Sequence, residues 1–142
     1  MDNSLMFQFP VLILIQTLAD ASFHDKSMTT KMASAQQRVE ELKTLGKKHY
    51  ASKRFKEAID AFTAALALDP REKTLYGNRS AAYCKLEMHE EALADADKAV
   101  SLDDQNPRAY MRRATAFFEL GQLHHALVDF QLVCSYHRPS FR

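Results

Sequence analysis

The chain has 142 residues, 46% hydrophobic and 26% charged, with a formal net charge of +1. That length supports one domain with a modest core, and near neutrality excludes a global field that would draw the protein onto nucleic acid. Three glycines and four prolines are too few for an all-β fold, and text rich in Ala, Leu, Lys and Glu favours helix.

In chain order, residues 5–18 form an apolar run broken by Pro10 and two glutamines, too short to span a bilayer. Its length, and Ala-Asp-Ala at 19–21, suit a signal peptide with an A-x-A cleavage site. The leading Met-Asp-Asn-Ser, however, lacks the basic residues such a peptide wants. Residues 25–37 read as a polar linker, and Met32 before Ala-Ser-Ala as a second translation start. Residues 1–33 are therefore expected to be an N-terminal extension, disordered or targeting. A cytoplasmic location is expected for the body, with secretory or membrane targeting through residues 1–21 as the alternative. Cys84 and Cys134 are the only cysteines. Both fall in helical patterns and read as reduced, mostly buried thiols, which suits a reducing compartment.

From residue 39 the text repeats with a period of 34. Ala58, Ala92 and Ala126 are followed four residues later by Phe62, Ala96 and Phe130, and seven later by Ala65, Ala99 and Val133. Upstream, Leu42, Tyr76 and Tyr110 share the period. So do the small residues Gly46, Ser80 and Ala114, and then His49, Tyr83 and Phe117. Such a unit reads as two antiparallel helices, A then B, whose apolar faces are buried only by stacking on the neighbouring units. Small columns let A and B approach, and large columns fill the space between units. The third A helix has clear ends: Asn106 can cap it, Pro107 suits its first turn, and Gly121 suits its stop.

In the tetratricopeptide-repeat superhelix that this ladder resembles, the A helices line the concave side, and that resemblance implies the same here. Lys43 and Lys47 are four apart on the first, Asn78, Ala81 and Lys85 share a face of the second, and Arg108 and Arg112 are four apart on the third. Stacking brings these faces together into a basic patch. The B helices carry acidic text such as "HEEALADAD" (89–97), which reads as a mixed, partly acidic outer face. The pooled cations await an anion. A carboxylate fits best, because Arg and Lys give it charge-assisted hydrogen bonds.

The ladder resembles the tetratricopeptide repeat. That resemblance implies an all-α, right-handed superhelix of three helix–turn–helix repeats, an α-solenoid. The repeats would cover about 39–72, 73–106 and 107–138 of a domain over 34–138, followed by a short tail at 139–142. The second repeat departs from the family pattern with Ala96 where an aromatic is usual and Asp104 where proline is usual. The third loses the terminal proline register. "LKTLGK" (42–47), "LYGNRSAAYCK" (75–85) and "RAYMRR" (108–113) further resemble the two-carboxylate clamp of chaperone-binding tetratricopeptide domains. Residue by residue, the resemblance gives Lys43 the first clamp lysine, Asn78 the second-helix asparagine, Arg108 the third-helix lysine and Arg112 the arginine. Lys47 stands where that pattern has asparagine. Ala81 and Lys85 would line the groove. The resemblance implies an adaptor that grips the acidic C-terminal tails of cytosolic heat-shock chaperones of the seventy- and ninety-kilodalton classes.

Two other readings are open. One is a general scaffold for multiprotein assembly. The other is the regulatory arm of a serine/threonine phosphatase, which "YGNRS" (76–80) also resembles. His124, His125, Cys134 and His137 fit no standard zinc spacing. With neither a Gly-rich phosphate loop nor a nucleophile elbow, neither enzymatic activity nor a metal or cofactor is expected. The aromatic columns occupy packing positions, so they do not read as a stacking platform for nucleic acid. At the C-terminal end, Phe130, Leu132 or Val133 should lack a cover. That suggests a marginal last repeat, a dimer through this end, or a shortened chain.

Overall fold

The computed structural model describes the backbone of residues 8–138 and the side chains of residues 28–138. Six helices follow one another: α1 (Gln8–Ala51), α2 (Phe55–Leu68), α3 (Lys73–Lys85), α4 (His89–Leu102), α5 (Pro107–Glu119) and α6 (Leu123–Tyr136). The chain divides into two compact units, Met1–Gln37 and Arg38–Arg142. In the first unit the described residues are helical. The expected polar linker at 25–37 is thus a helix. No proline or glycine interrupts residues 11–45, and Pro10 falls in the first turn, where its missing N–H breaks no ladder bond. The side chains of the apolar run at 5–18 and of the cleavage-site residues 19–21 lie outside the described residues, as does the tail at 139–142. Among the described residues no helix is long and apolar enough to cross a membrane.

The second unit is a helical-repeat stack of three A–B pairs. The A helices are the 38–51 part of α1, α3 and α5, and the B helices are α2, α4 and α6. Each A helix closes in the same way, 34 residues apart. Arg54 N–H donates to His49 O (2.9 Å), Met88 N–H to Tyr83 O (3.0 Å) and Gln122 N–H to Phe117 O (2.8 Å). The residue before each donor is left-handed: Lys53 and Glu87 at φ 60°, Gly121 at φ 73°. These are Schellman closures, and only the third uses the glycine that adopts this conformation without strain. At the start of α5 the Asn106 side chain accepts from Arg108 N–H at 3.0 Å, ahead of Pro107.

The small columns do what close packing requires. Ala58, Ala92 and Ala114 are fully buried and Ala126 nearly so. A Cβ built at Gly46 would lie 2.7 Å from Phe62 Cδ1, so only glycine lets α1 meet α2 here. Ser80 is buried and donates its hydroxyl to Ala92 O at 2.7 Å, which satisfies its one polar group. Val39, Phe62, Ala65, Leu66 and Leu75 form the first core cluster, against which Leu42 and Tyr76 pack. Tyr76 also packs with Tyr110 on the second cluster of Ala99, Val100 and Ala109. The tyrosine column therefore joins one repeat to the next. Burying a side chain such as Phe62 contributes about 1.5–3 kcal/mol.

The last repeat differs. Val133 is covered, Phe130 is half-buried, and Leu132 is 36% exposed. Leu123, Leu127 and Val128 on the same helix are exposed as well. Cys134, expected to be buried, is exposed, and Cys84 is half-buried. The repeat equivalents of Cys134, Leu66 and Val100, are buried, because a following A helix covers each of them. Among the described residues α6 has no such successor.

Candidate functional site

The groove is built from the A helices. Asn78, Arg108 and Arg112 line a cleft of about 270 Å³ between α3 and α5, together with Lys73 and Asn106. Lys47, Asn78, Ala81 and Arg112 line a second cleft of about 100 Å³, whose apolar wall is Tyr50 and Phe62. Ala81, Lys85 and Arg112 line a third of about 310 Å³, with Cys84, Thr115 and Glu119. Arg112 belongs to all three clefts, and Asn78 and Ala81 to two each. The three helices thus bring together Lys47, Asn78, Ala81, Lys85, Arg108 and Arg112.

Lys43 is placed differently. It is not among the residues lining these clefts, and its ammonium pairs with Glu40 Oε2 at 2.6 Å, one helical turn back. Its side chain is only 15% exposed. Its charge is felt at Glu72 on the loop before α3. The Thr74 hydroxyl first, and Lys43 and Lys73 more weakly, hold that carboxyl below its ordinary value.

The electrostatics separate two kinds of arginine. Among the described residues no carboxylate lies within ion-pair distance of Lys47, Arg108 or Arg112. Their neighbours in sequence are fully engaged. Arg79 donates through Nε and Nη2 to both oxygens of Asp95 (2.7 and 2.8 Å), and through Nη1 to Thr63 Oγ1 (2.9 Å). Arg113 repeats the pattern on Asp129 (2.7 and 2.8 Å), with Nη1 donating to Asp97 Oδ1 (3.1 Å). Each guanidinium also lies over two aromatic rings, Tyr76 and Tyr83 for Arg79, Tyr110 and Phe117 for Arg113. The bonds to Asp95 and Asp129 raise the pKa of both guanidinium groups against the opposing effect of burial. These bidentate pairs fasten α3 to α4 and α5 to α6, and so fix the helices that present Asn78 and Arg112.

Reading the sequence helix by helix misses this pair of clamps. It assigns Asp95 to a partly acidic outer face and gives Asp129 no role, whereas both are buried. The available signal is the period itself: Arg79 and Arg113, Asp95 and Asp129, and Thr63 and Asp97 are each 34 apart. In the first repeat the matching positions are Leu45 and Ala61, so that pair of helices has no such clamp. In the third cleft, burial pushes the Cys84 thiol up, with Arg112 opposing.

The family model described as tetratricopeptide repeat matches residues 39–72, and a second model of the same description matches 74–106. Human serine/threonine-protein phosphatase 5 is 38% identical over 99 residues, 70% of this chain and 20% of that protein. The chain therefore spans about one fifth of that relative. The first TPR of Spaghetti (RPAP3), solved bound to HSP90 peptide SRMEEVD, superposes with a TM-score of 0.70. It is 33% identical, over 74% of this chain and 83% of that one. The TPR2B domain of yeast Sti1, solved as a pHsp70 complex, gives a TM-score of 0.67 and 32% identity, over 68% and 78% of the two chains. Repeat period, helix pairing, family models and solved relatives agree: the chain belongs to the tetratricopeptide-repeat family.

Proposed function

We propose that this protein is an adaptor that holds the free, acidic C-terminal end of a partner polypeptide in the groove between its A helices. The observation that carries the reading is the placement of Lys47, Arg108 and Arg112 around Asn78, with no carboxylate among the described residues within ion-pair distance of the three cations. A chain terminus preceded by Asp or Glu offers two carboxylates close together. Arg108 and Arg112 can take one in the first cleft, and Lys47 with the Asn78 amide the other in the second. Lys43 contributes a longer-range field, or joins by leaving Glu40. Tyr50, Phe62 and Ala81 give an apolar wall for a side chain between the two acidic groups. Lys85 and Arg112 line the way towards the third cleft.

The partner class we propose is the tail of the seventy- and ninety-kilodalton heat-shock chaperones, ending in Glu-Glu-Val-Asp. Two solved relatives support it, since one is bound to an HSP90 peptide and the other is a pHsp70 complex. The role is binding rather than catalysis, and a cytoplasmic location follows from such a partner. The similarity to phosphatase 5 supports a second reading, in which this domain serves as the tail-binding arm of a larger enzyme. Each charge-assisted bond contributes about 1.5–3 kcal/mol net of its exchange with water, and a short peptide held by a few of them should bind near micromolar affinity, about −8 kcal/mol. The test is calorimetric titration of an acidic-tail peptide into the protein and its Arg112→Ala variant. Affinity should fall tenfold or more in the variant, and unchanged affinity would remove the proposal.

A further inference from the structure

Arg79 and Arg113 are equivalent residues with unequal partners. Both chelate a buried aspartate with Nε and Nη2. At Nη1, Arg113 meets the carboxylate of Asp97, whereas Arg79 meets the neutral hydroxyl of Thr63. Thr63 and Asp97 are 34 residues apart, so they occupy one position of the repeat. The third repeat's clamp shows that a single guanidinium in this setting accommodates two anions. The second repeat's clamp has the same donor aimed at a hydroxyl 2.9 Å away, on a residue that is exposed.

We propose that Thr63 is a phosphorylation site, with Arg79 as the group that receives the phosphate. A protein kinase would supply a nucleoside triphosphate. Thr63 Oγ1 attacks its terminal phosphoryl group, the Oγ1–P bond forms and the bond to the diphosphate oxygen breaks. The hydroxyl proton passes to the kinase base, and the nucleoside diphosphate leaves. The added phosphate carries about −1.5 to −2 charges and three strong acceptor oxygens. It gives Arg79 Nη1 the ionic partner that Arg113 already has, and adds a charged tie between α2 and α3. Asn78 is the residue next to Arg79, so the tie stiffens the helix that forms the middle of the groove. Placing negative charge at this position turns the second clamp into a copy of the third.

Two measurements on the full chain test this. In the first, the chain is incubated with ATP and a broad-specificity serine/threonine kinase, and the product is mapped by mass spectrometry. Phosphate is expected at Thr63 and absent in Thr63→Val; phosphate on other exposed sites such as Thr74 or Ser101 with none at Thr63 would overturn the proposal. In the second, the chain is made with phosphothreonine at 63. Its melting temperature should rise by about 3 °C or more at low salt, with the gain shrinking at high salt. The second phosphate ionisation should lie below that of the same residue in the urea-unfolded chain. An unchanged or lowered melting temperature, or an unshifted ionisation, would show that Arg79 does not receive the phosphate.

Discussion

Asn78 on α3 and Arg112 on α5 line the same two clefts, one shared with Arg108 and the other with Lys47. A ligand that touches one of these two side chains is within reach of the other. Asn78→Ala and Arg112→Ala should therefore each weaken acidic-tail binding, Arg112→Ala by tenfold or more. The double variant should lose less than the sum of the two, with a coupling of about 1 kcal/mol. A calorimetric double-mutant cycle measures it, and strict additivity would place the two residues on separate ligands.

The two helical glycines with φ < 0 should respond oppositely to alanine. At Gly46 a new Cβ presses into the ring of Phe62, which is almost wholly buried and has nowhere to swing. The overpacking should cost about 1–3 kcal/mol. At Gly77 a Cβ meets nothing within 4 Å, so Gly77→Ala should gain about 0.5–1 kcal/mol from helix propensity alone. Urea melts of both variants give the two signs directly.

The bidentate clamps should be strong contributors to stability. Asp95 is 9% exposed at its side chain and Arg79 17%. Removing the carboxylate leaves a mostly buried guanidinium with only the Thr63 hydroxyl and two aromatic faces. Asp95→Ala should cost about 3–5 kcal/mol, whereas breaking the exposed Arg38–Glu41 pair by Arg38→Ala should cost about 0–1 kcal/mol. Chemical denaturation of both variants separates them.

Stability should have an acid limb traceable to Glu72. This carboxylate caps α3, accepting from the Thr74 amide at 3.1 Å and its hydroxyl at 2.7 Å, and its pKa is held below the ordinary 4.5, first by that hydroxyl. A depressed carboxylate contributes stability above its unfolded pKa and loses it as pH falls through the folded value. The melting-temperature gap between wild type and Glu72→Gln should therefore be full at pH 7 and close progressively below 4.5. A gap that widens in acid would contradict the assignment.

The repeat was legible because its packing columns recur every 34 residues and each column has one size. Gly46, Ser80, Ala114 and the three alanines at 58, 92 and 126 needed no tertiary information. Lys47, Asn78, Arg108 and Arg112 were legible for a related reason, since helical spacing puts them on the one face that stacking aligns. What escaped has local or terminal causes. Lys43 pairs with Glu40, three residues back, an interaction that the repeat pattern does not encode. Cys134 occupies a column that is buried in the first two repeats. It is exposed because burial there depends on the next A helix rather than on its own. Asp95 was hidden by its acidic surroundings and Asp129 by standing alone in its helix, and pairing the period of the aspartates with that of Arg79 and Arg113 reveals both.

The central claim is that the groove recognises a chain end by its terminal carboxylate. It is tested most directly by titrating one Glu-Glu-Val-Asp-ending peptide as the free acid and as the C-terminal amide, under identical low-salt conditions. The free acid should bind near micromolar affinity and the amide at least tenfold more weakly. Equal affinity for the two peptides, or binding of neither, would contradict the account.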